Sequence, residues 1–323
     1  MNIIGRSRIW FAISLLLLIP GIISLGLWGL KPGIDFAGGQ VMEIAGTSEV
    51  AEVQPLFEAQ GARDIVVTTA GDNRILVRYR EGEGKDSTVT AATLKAELAA
   101  KGLQQSSFES IGPAVSRDIT RNAVVSVALA ALAIIAFIAV AFRNAPPPVS
   151  PLSFGVTAVI ALLHDTFMIL GIFSILGHFY GIEIDSLFVT AVLTTIGFSI
   201  HDTIVVYDRI RENLRLKKGE FSVIVNDSIV ETLDRSLSTS FTVLLTLLAV
   251  MIFGGETIRV FVLALLLGVA SGTFSSIFNA APLLVVWNRR QIKRQARKSQ
   301  RRADQVKLKA KAKPVVKKTS AQK

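Results

Sequence analysis

The sequence predicts an α-helical membrane protein with six transmembrane helices and an extracytoplasmic α+β domain of ferredoxin-like order between the first and second. Three observations predict it. Half of the 323 residues are apolar. They gather into blocks of about 20 residues, the length an α-helix needs to cross ~30 Å of hydrocarbon. Between the first two blocks the pattern changes to short alternating runs and two helical stretches.

The apolar blocks run Ile9 to Leu30, Ala123 to Phe142, Leu152 to Leu176, Leu187 to Tyr207, Leu237 to Phe253 and Ile258 to Trp287. The first follows Arg6 and Arg8 as a signal peptide does, but its length and the lack of an A-x-A-like site after it favour a retained helix. Basic residues set the sidedness. Arg6, Arg8, Arg143, the cluster Arg209, Arg211, Arg215, Lys217 and Lys218, and the C-terminal segment all fall on one side, which is therefore cytoplasmic. Both termini are expected there, in a multi-pass protein of the cell inner (plasma) membrane. The expected division is 1–30 (first span), 31–118 (outside domain), 119–287 (five spans with a cytoplasmic loop at 208–235) and 288–323 (tail).

The outside segment reads strand (Gln40 to Ala45), helix (Val50 to Gln60), strand (Asp64 to Thr69), strand (Arg74 to Tyr79), helix (Thr90 to Lys101), strand (Gln104 to Ile111). That β-α-β-β-α-β order is the split fold of ferredoxin-like domains. Ser48 and either Ser87 or Thr88 are the expected helix caps, and Gly71 to Asn73 the hairpin turn. The domain has no His and its carboxylates are scattered, so it reads as a docking module. The run Gly33-Ile34-Asp35-Phe36-Ala37-Gly38-Gly39 has the composition of a tight turn in which Asp closes an Asx-turn.

Composition excludes several classes. With no cysteine, disulfides, thiolate metal sites and Cys nucleophiles are absent. His164 and His201 lack metal-ligand spacing, so neither metal nor cofactor is expected. The formal charge of +10 suggests a nucleic-acid binder until it is located. From Asn288 to Lys323 there are 15 Lys and Arg against one acid, and the rest of the chain is net acidic. This basic segment reads as a disordered tail attracted to anionic membrane lipids, and no nucleic-acid partner is expected because it lacks aromatics for base stacking.

Charges inside spans are costly and mark function unless partnered. Three qualify: Asp165, Asp202 and Arg235. Thr195, Ser199 and Asp202 share one helix face, and Arg235, Thr239, Thr242 and Thr246 form a stripe on the next span. The last span adds Gly268, Gly272, Ser275, Ser276 and Asn279, small or polar groups that permit close packing. Asp202 and Arg235 lie near the inner ends of consecutive spans, where an ion pair is geometrically reasonable. Asp165, about 13 residues into its own span, extends the same path. Two readings stand: a proton relay, in which protonation frees the Arg, or a static buried pair. His164 and His201 point about 100° away from the neighbouring aspartates and read as packing residues.

Four motifs carry a resemblance: Gly33 to Gly39, Gly112-Pro113, Gly197 to Asn213 (with Asp208-Arg209), and Asp234 to Ser240. With them the chain resembles the SecF family, the smaller subunit of bacterial SecDF within the resistance-nodulation-division superfamily, over everything except the basic tail. Phe198, His201, Ser116 and Ser236 depart from the family's usual residues. The resemblance implies a six-span bundle, no enzymatic reaction, and pairing with SecD beside the SecYEG channel. It further implies that the proton-motive force moves the outside domain, which holds an emerging preprotein. By position Asp202 is then the proton-binding carboxylate and Arg235 its partner. The alternative is a half-size proton-coupled exporter of small molecules from the same superfamily.

Overall fold

The computed structural model describes residues 1–47, 49–69, 73–80 and 91–312. Helix α1, Ser7–Leu27, is the first span. A single helical turn, α2 (Ile34–Ala37), leads into the outside domain: β1 Gly39–Ala45, α3 Val50–Ala59, β2 Arg63–Thr69, β3 Arg74–Arg80, α4 Ala91–Ala100 and β4 Gln104–Ile111. The chain then continues through α5 (Pro113–Ala141), α6 (Pro151–Tyr180), α7 (Ser186–Leu216) and α8 (Phe221–Phe253), and closes with α9 (Arg259–Ser275), a π-helical turn (Ser276–Ala280) and α10 (Ala281–Ala312). Among the described residues, six helical stretches are long and apolar enough to cross a membrane, so the protein is a multi-pass membrane protein.

The outside domain is one antiparallel sheet of order β2-β3-β1-β4. Alternation decides which face is buried: Met42 and Ile44 on β1 and Ile75, Val77 and Tyr79 on β3 point to the same side, where Val53, Phe57, Leu94 and Leu98 of the two helices cover them. The six expected elements are present within a residue or two. The expected caps Ser48, Ser87 and Thr88 and most of the turn at 71–73 lie outside the described residues.

Two expectations are corrected. The segment 208–235 is not a loop: α7 continues to Leu216, α8 begins at Phe221, and only 217–220 connects them. The stretch Phe221 to Glu231 is the first part of α8, its Ile224, Val225, Ser228 and Ile229 buried in the bundle. The tail is helical as far as Ala312, because its Arg, Lys, Gln and Ala residues favour continuing a helix already nucleated in the last span.

Two seams of parallel helices organise the bundle. Between α1 and α6, Ser14 meets His164 (2.5 Å) and Ser24 meets Ser174 (2.7 Å), each 150 residues apart. Gly21 and Gly171 cross at the same offset. A Cβ on Gly171 would lie 2.5 Å from the Gly21 Cα, so the two backbones touch. Between α7 and the last span, Thr195 lies against Gly268 and Ser199 against Gly272, where an added Cβ would stand 2.3 and 2.8 Å from the opposing side chains. The same offset of 73 continues with Thr203 on Ser276 (2.9 Å) and Tyr207 on the Ala280 carbonyl (3.1 Å).

Candidate functional site

The polar centre of the bundle is Asp165. It is 3% exposed and lies ~21 Å along α6, near the middle of the span. Its Oδ2 accepts hydrogen bonds from Ser199 Oγ on α7 (2.5 Å) and Ser275 Oγ on α9 (2.6 Å). Its Oδ1 accepts from Ser271 Oγ (3.0 Å) and lies 3.0 Å from His164 Nδ1. With the carboxyl group ionised it is an acceptor only, in which case Nδ1 carries the proton and Nε2 accepts from Ser14 Oγ. Ser14 in turn accepts from Asn279 Nδ2 (2.9 Å). The chain Asn279, Ser14, His164, Asp165 is polarised in one direction, towards the anion.

Asp202 is equally buried, at 3%, but it occupies a different interface. It lies three residues beyond Ser199, about 60° round the helix, so it faces α8 where Ser199 faces α6. Ser240 Oγ, which receives a hydrogen bond from Thr273 (2.7 Å), is its described partner at 3.4 Å. His201 is exposed.

The structure therefore brings together Asp165, Ser199 and, through His164 and Ser14, Asn279. It leaves the expected ion pair unmade. Arg235 is exposed on α8, and no ion pair links it to Asp202 among the described residues. Thr239 and Thr242 are exposed with it, their hydroxyls turned back onto the carbonyls of Arg235 and Ser238. The stripe that faces inward on α8 is Thr232, Ser236 and Ser240, offset from the expected one by a single residue. Thr195 is buried against Gly268 and bonds the Val192 carbonyl rather than either aspartate.

Sequence reasoning missed His164 and Ser14. A residue's neighbour on a helix points away at Cβ, but an imidazole is long enough to reach back to the adjacent carboxylate. Ser14 had no signal beyond being a hydroxyl in an apolar run. The π-helical turn at Ser276–Ala280 is where backbone irregularity gathers at this site, adding one residue so that Ser275, Ser276 and Asn279 all point inward.

The glycine-rich motif joins the outside domain to the bundle. Gly33 N–H donates to the Ile184 carbonyl (2.7 Å) and Ile184 N–H to the Lys31 carbonyl (2.9 Å). Asp35 closes no Asx-turn: its Oδ2 accepts from Ser186 N–H (2.7 Å), the first residue of α7. Phe36 packs against the membrane core, and Gly39 holds φ 135°, which a side chain would disfavour. Arg78 on β3 pairs with Glu183, to which Lys31 also lies close (3.5 Å). Burial lowers the Arg78 pKa, and Asp35 opposes that shift. Asp185 caps α7 through Phe188 N–H (2.8 Å), and burial raises its pKa. Replacing Asp35 by Ala is expected to cost about 1–2 kcal/mol by leaving the Ser186 amide without its charged acceptor. Hydrogen exchange should show faster exchange at Ser186 with the outside sheet unaffected.

Where α7 ends and α8 begins, Glu231 gathers Arg209 (2.5 Å), Asn213 (2.9 Å) and Lys217 (2.7 Å), while Asp208 pairs with Arg211 (2.6 Å). The Glu231 pairs tie the two helices together, and neither they nor the Asp208–Arg211 pair within α7 reaches a buried carboxylate.

Residues 91–290 match the family described as protein export membrane protein SecD/SecF, C-terminal. The chain is also similar to the protein translocase subunit SecF of Thermobaculum terrenum, 45% identical over 313 residues that cover 93% of this chain and 98% of that protein. The chain belongs to the SecF family. The likeness extends to SecDF proteins, of which it spans a part. It is 31% identical to SecDF of Bacillus subtilis, covering 90% of this chain and 38% of that one. The crystal structure of SecDF from Thermus thermophilus, titled a translocon-associated membrane protein, superposes with a TM-score of 0.77 at 32% identity, over 90% of this chain and 39% of that one. For a SecF-family chain the six spans and the small antiparallel sheet are thus the shared architecture. The translocase names of these relatives do not favour the small-molecule exporter reading.

Proposed function

We propose that this chain is an auxiliary, non-enzymatic subunit of the Sec preprotein translocase, which couples proton movement through its membrane bundle to motion of its outside domain. It sits in the cell inner membrane with both termini cytoplasmic and works with SecD beside the SecYEG channel on an emerging preprotein. The observation that carries this reading is the continuity of α7. Its middle holds Ser199, bonded to Asp165, and Asp202; its outer end receives Asp35 from the root of the outside domain. A proton on either carboxylate changes what the middle of α7 can bond, and the same rigid helix carries any resulting displacement to the domain.

Arg235 takes a new place in this scheme. An exposed guanidinium with two threonines on a helix only 11% buried over its most apolar stretch is costly in lipid, so a carboxylate of SecD is its expected counter-ion. In proteoliposomes holding SecD and the channel, Asp202→Asn should keep the complex assembled yet lose at least tenfold of the export stimulated by a proton gradient. Undiminished stimulation would refute the coupling role. Arg235→Ala should leave the isolated chain as stable as before while weakening co-purification of SecD.

A further inference from the structure

The last helix does not stop with the bundle. Among the described residues its final polar contacts with the rest of the bundle are Ser153 Oγ on Gln291 Oε1 (3.5 Å) and the Arg289–Glu220 pair (3.7 Å), yet α10 runs on to Ala312. At 1.5 Å per residue the stretch beyond Gln291 extends about 30 Å. It holds neither Pro nor Gly, the usual causes of a kink. Its cations are ordered. Arg289, Lys293, Arg297 and Arg301 follow one another at four-residue spacing, and Arg290, Arg294, Lys298 and Arg302 run beside them. The helical register sets both rows on one band about 220° wide and ~20 Å long, with no acid between Arg289 and Arg302. Arg289, Arg290, Lys293, Arg294 and Arg297 are exposed. Like charges four apart repel along a free helix, so this order is unfavourable until a polyanion lies along it.

We infer that this basic rod is a docking surface for the phosphate backbone of folded RNA. Distance argues against lipid. The potential of an anionic bilayer fades within a Debye length, ~8 Å at physiological salt, and a helix that continues a span leads away from the bilayer. Arg297 to Arg302 then stand about 9–17 Å beyond Gln291, where the lipid charge is screened. An acidic protein is the poorer match, since protein interfaces are built round apolar or aromatic anchors and the residues that share the band are Gln291 and Gln300. Six of the eight cations are Arg, whose planar fork pairs with phosphate through two hydrogen bonds. Gln300, exposed on the same band, adds an amide that both donates and accepts and so matches the 2′-hydroxyl that distinguishes RNA from DNA. Contacts to phosphate need no aromatic ring, so the missing stacking residues do not bear on this mode of binding. The expectation of a disordered, lipid-bound tail with no nucleic-acid partner is thereby replaced. In the cell the inference rests on the cytoplasmic placement of the C-terminal segment proposed above, and it does not require proton coupling.

Fluorescence anisotropy of a labelled RNA hairpin tests it, with the full chain in nanodiscs of zwitterionic lipid, where both ends of the bundle are accessible and sidedness does not enter. Binding at ~0.1 M salt should saturate and weaken steeply as salt rises. Changing Arg297→Gln, Lys298→Gln, Arg301→Gln and Arg302→Gln together should reduce the log–log salt slope by about 3 to 4 and the affinity at least tenfold. Glutamine sustains a helix and all four positions lie beyond the bundle contacts, so the variant should fold as the parent does. An affinity unchanged in that variant, or binding that never saturates, overturns the site. Duplex DNA of the same sequence should compete less well than RNA, and equal competition overturns the choice of RNA. Equal competition by polyglutamate means an acidic protein instead. Excess phosphatidylglycerol vesicles should fail to displace the hairpin, and full displacement means that the rod takes lipid and overturns the proposal.

Discussion

Replacing Gly171 by leucine is expected to detach α1 from α6 and to cost at least ~3 kcal/mol of bundle stability. The Cβ alone would stand 2.5 Å from the Gly21 Cα and 2.8 Å from its carbonyl carbon. These are backbone atoms of a rigid helix, so no rotamer change relieves the overlap. The helices must separate, and with them go the Ser14–His164 and Ser24–Ser174 contacts and the hydrogen bond from Ser174 to the Gly29 carbonyl (2.6 Å). Lipid tails offer no hydrophobic penalty to hold the pair together once close packing is lost. The chain has no cysteine, so a Ser24→Cys, Ser174→Cys pair gives a clean reporter. It should oxidise readily in the parent background and poorly beside Gly171→Leu, and denaturant titration in nanodiscs should show the loss of stability. Retention of both disulfide and stability would show that the backbones do not touch there.

The second large effect is expected at Asp165. Changing it to leucine leaves three serine hydroxyls and the His164 Nδ1–H facing one another with no acceptor. Each unpaired buried donor costs about 1–3 kcal/mol. Some hydroxyls will turn to helix carbonyls, as Ser275 already does towards the Gly272 carbonyl, so the expected total is ~3–5 kcal/mol. Asp165→Asn keeps one acceptor oxygen and the side-chain volume and should fall between the two. Nitrogen NMR of His164 adds an independent readout: the leucine variant should lose the fixed Nδ1–H tautomer. A leucine variant as stable as the parent, with the tautomer unchanged, would remove Asp165 from the centre of the network.

Much of the architecture was legible in the residues because two signals are strong. Blocks of apolar sequence name spans, and the change to alternation at Gln40 and Arg74 names strands, whose observed limits differ by a residue or two. Where a span stops being lipid-facing is not encoded in hydropathy. Hence α5 starts at Pro113, ten residues before its apolar block, and α8 at Phe221, well before Leu237. The site was half legible. Periodicity shows which residues share a stripe, but not which stripe meets a neighbour. On α8 two stripes of hydroxyls run side by side, and the one that includes Arg235 faces outward. The inward one, through Ser236 and Ser240, has no charge to draw attention to it. Asp165 was recognisable as costly, but its four partners come from two other helices and from its own neighbour, and only packing could assemble them.

The two parallel seams hold their register by the same means. Along α7, Thr195 and Ser199 fit against the last span because Gly268 and Gly272 lack a Cβ. A slip of one turn, ~5.4 Å, would set Thr195 against Ala264 in one direction or Ser199 against Ser276 in the other, with a Cβ in the space that glycine leaves open. At Gly171 the same slip would bring Leu17 or Leu25 against a backbone with no space to spare. Axial sliding is blocked along both seams, so the helix that carries Asp202 and holds the root of the outside domain is keyed to the last span and shifts only in company with it.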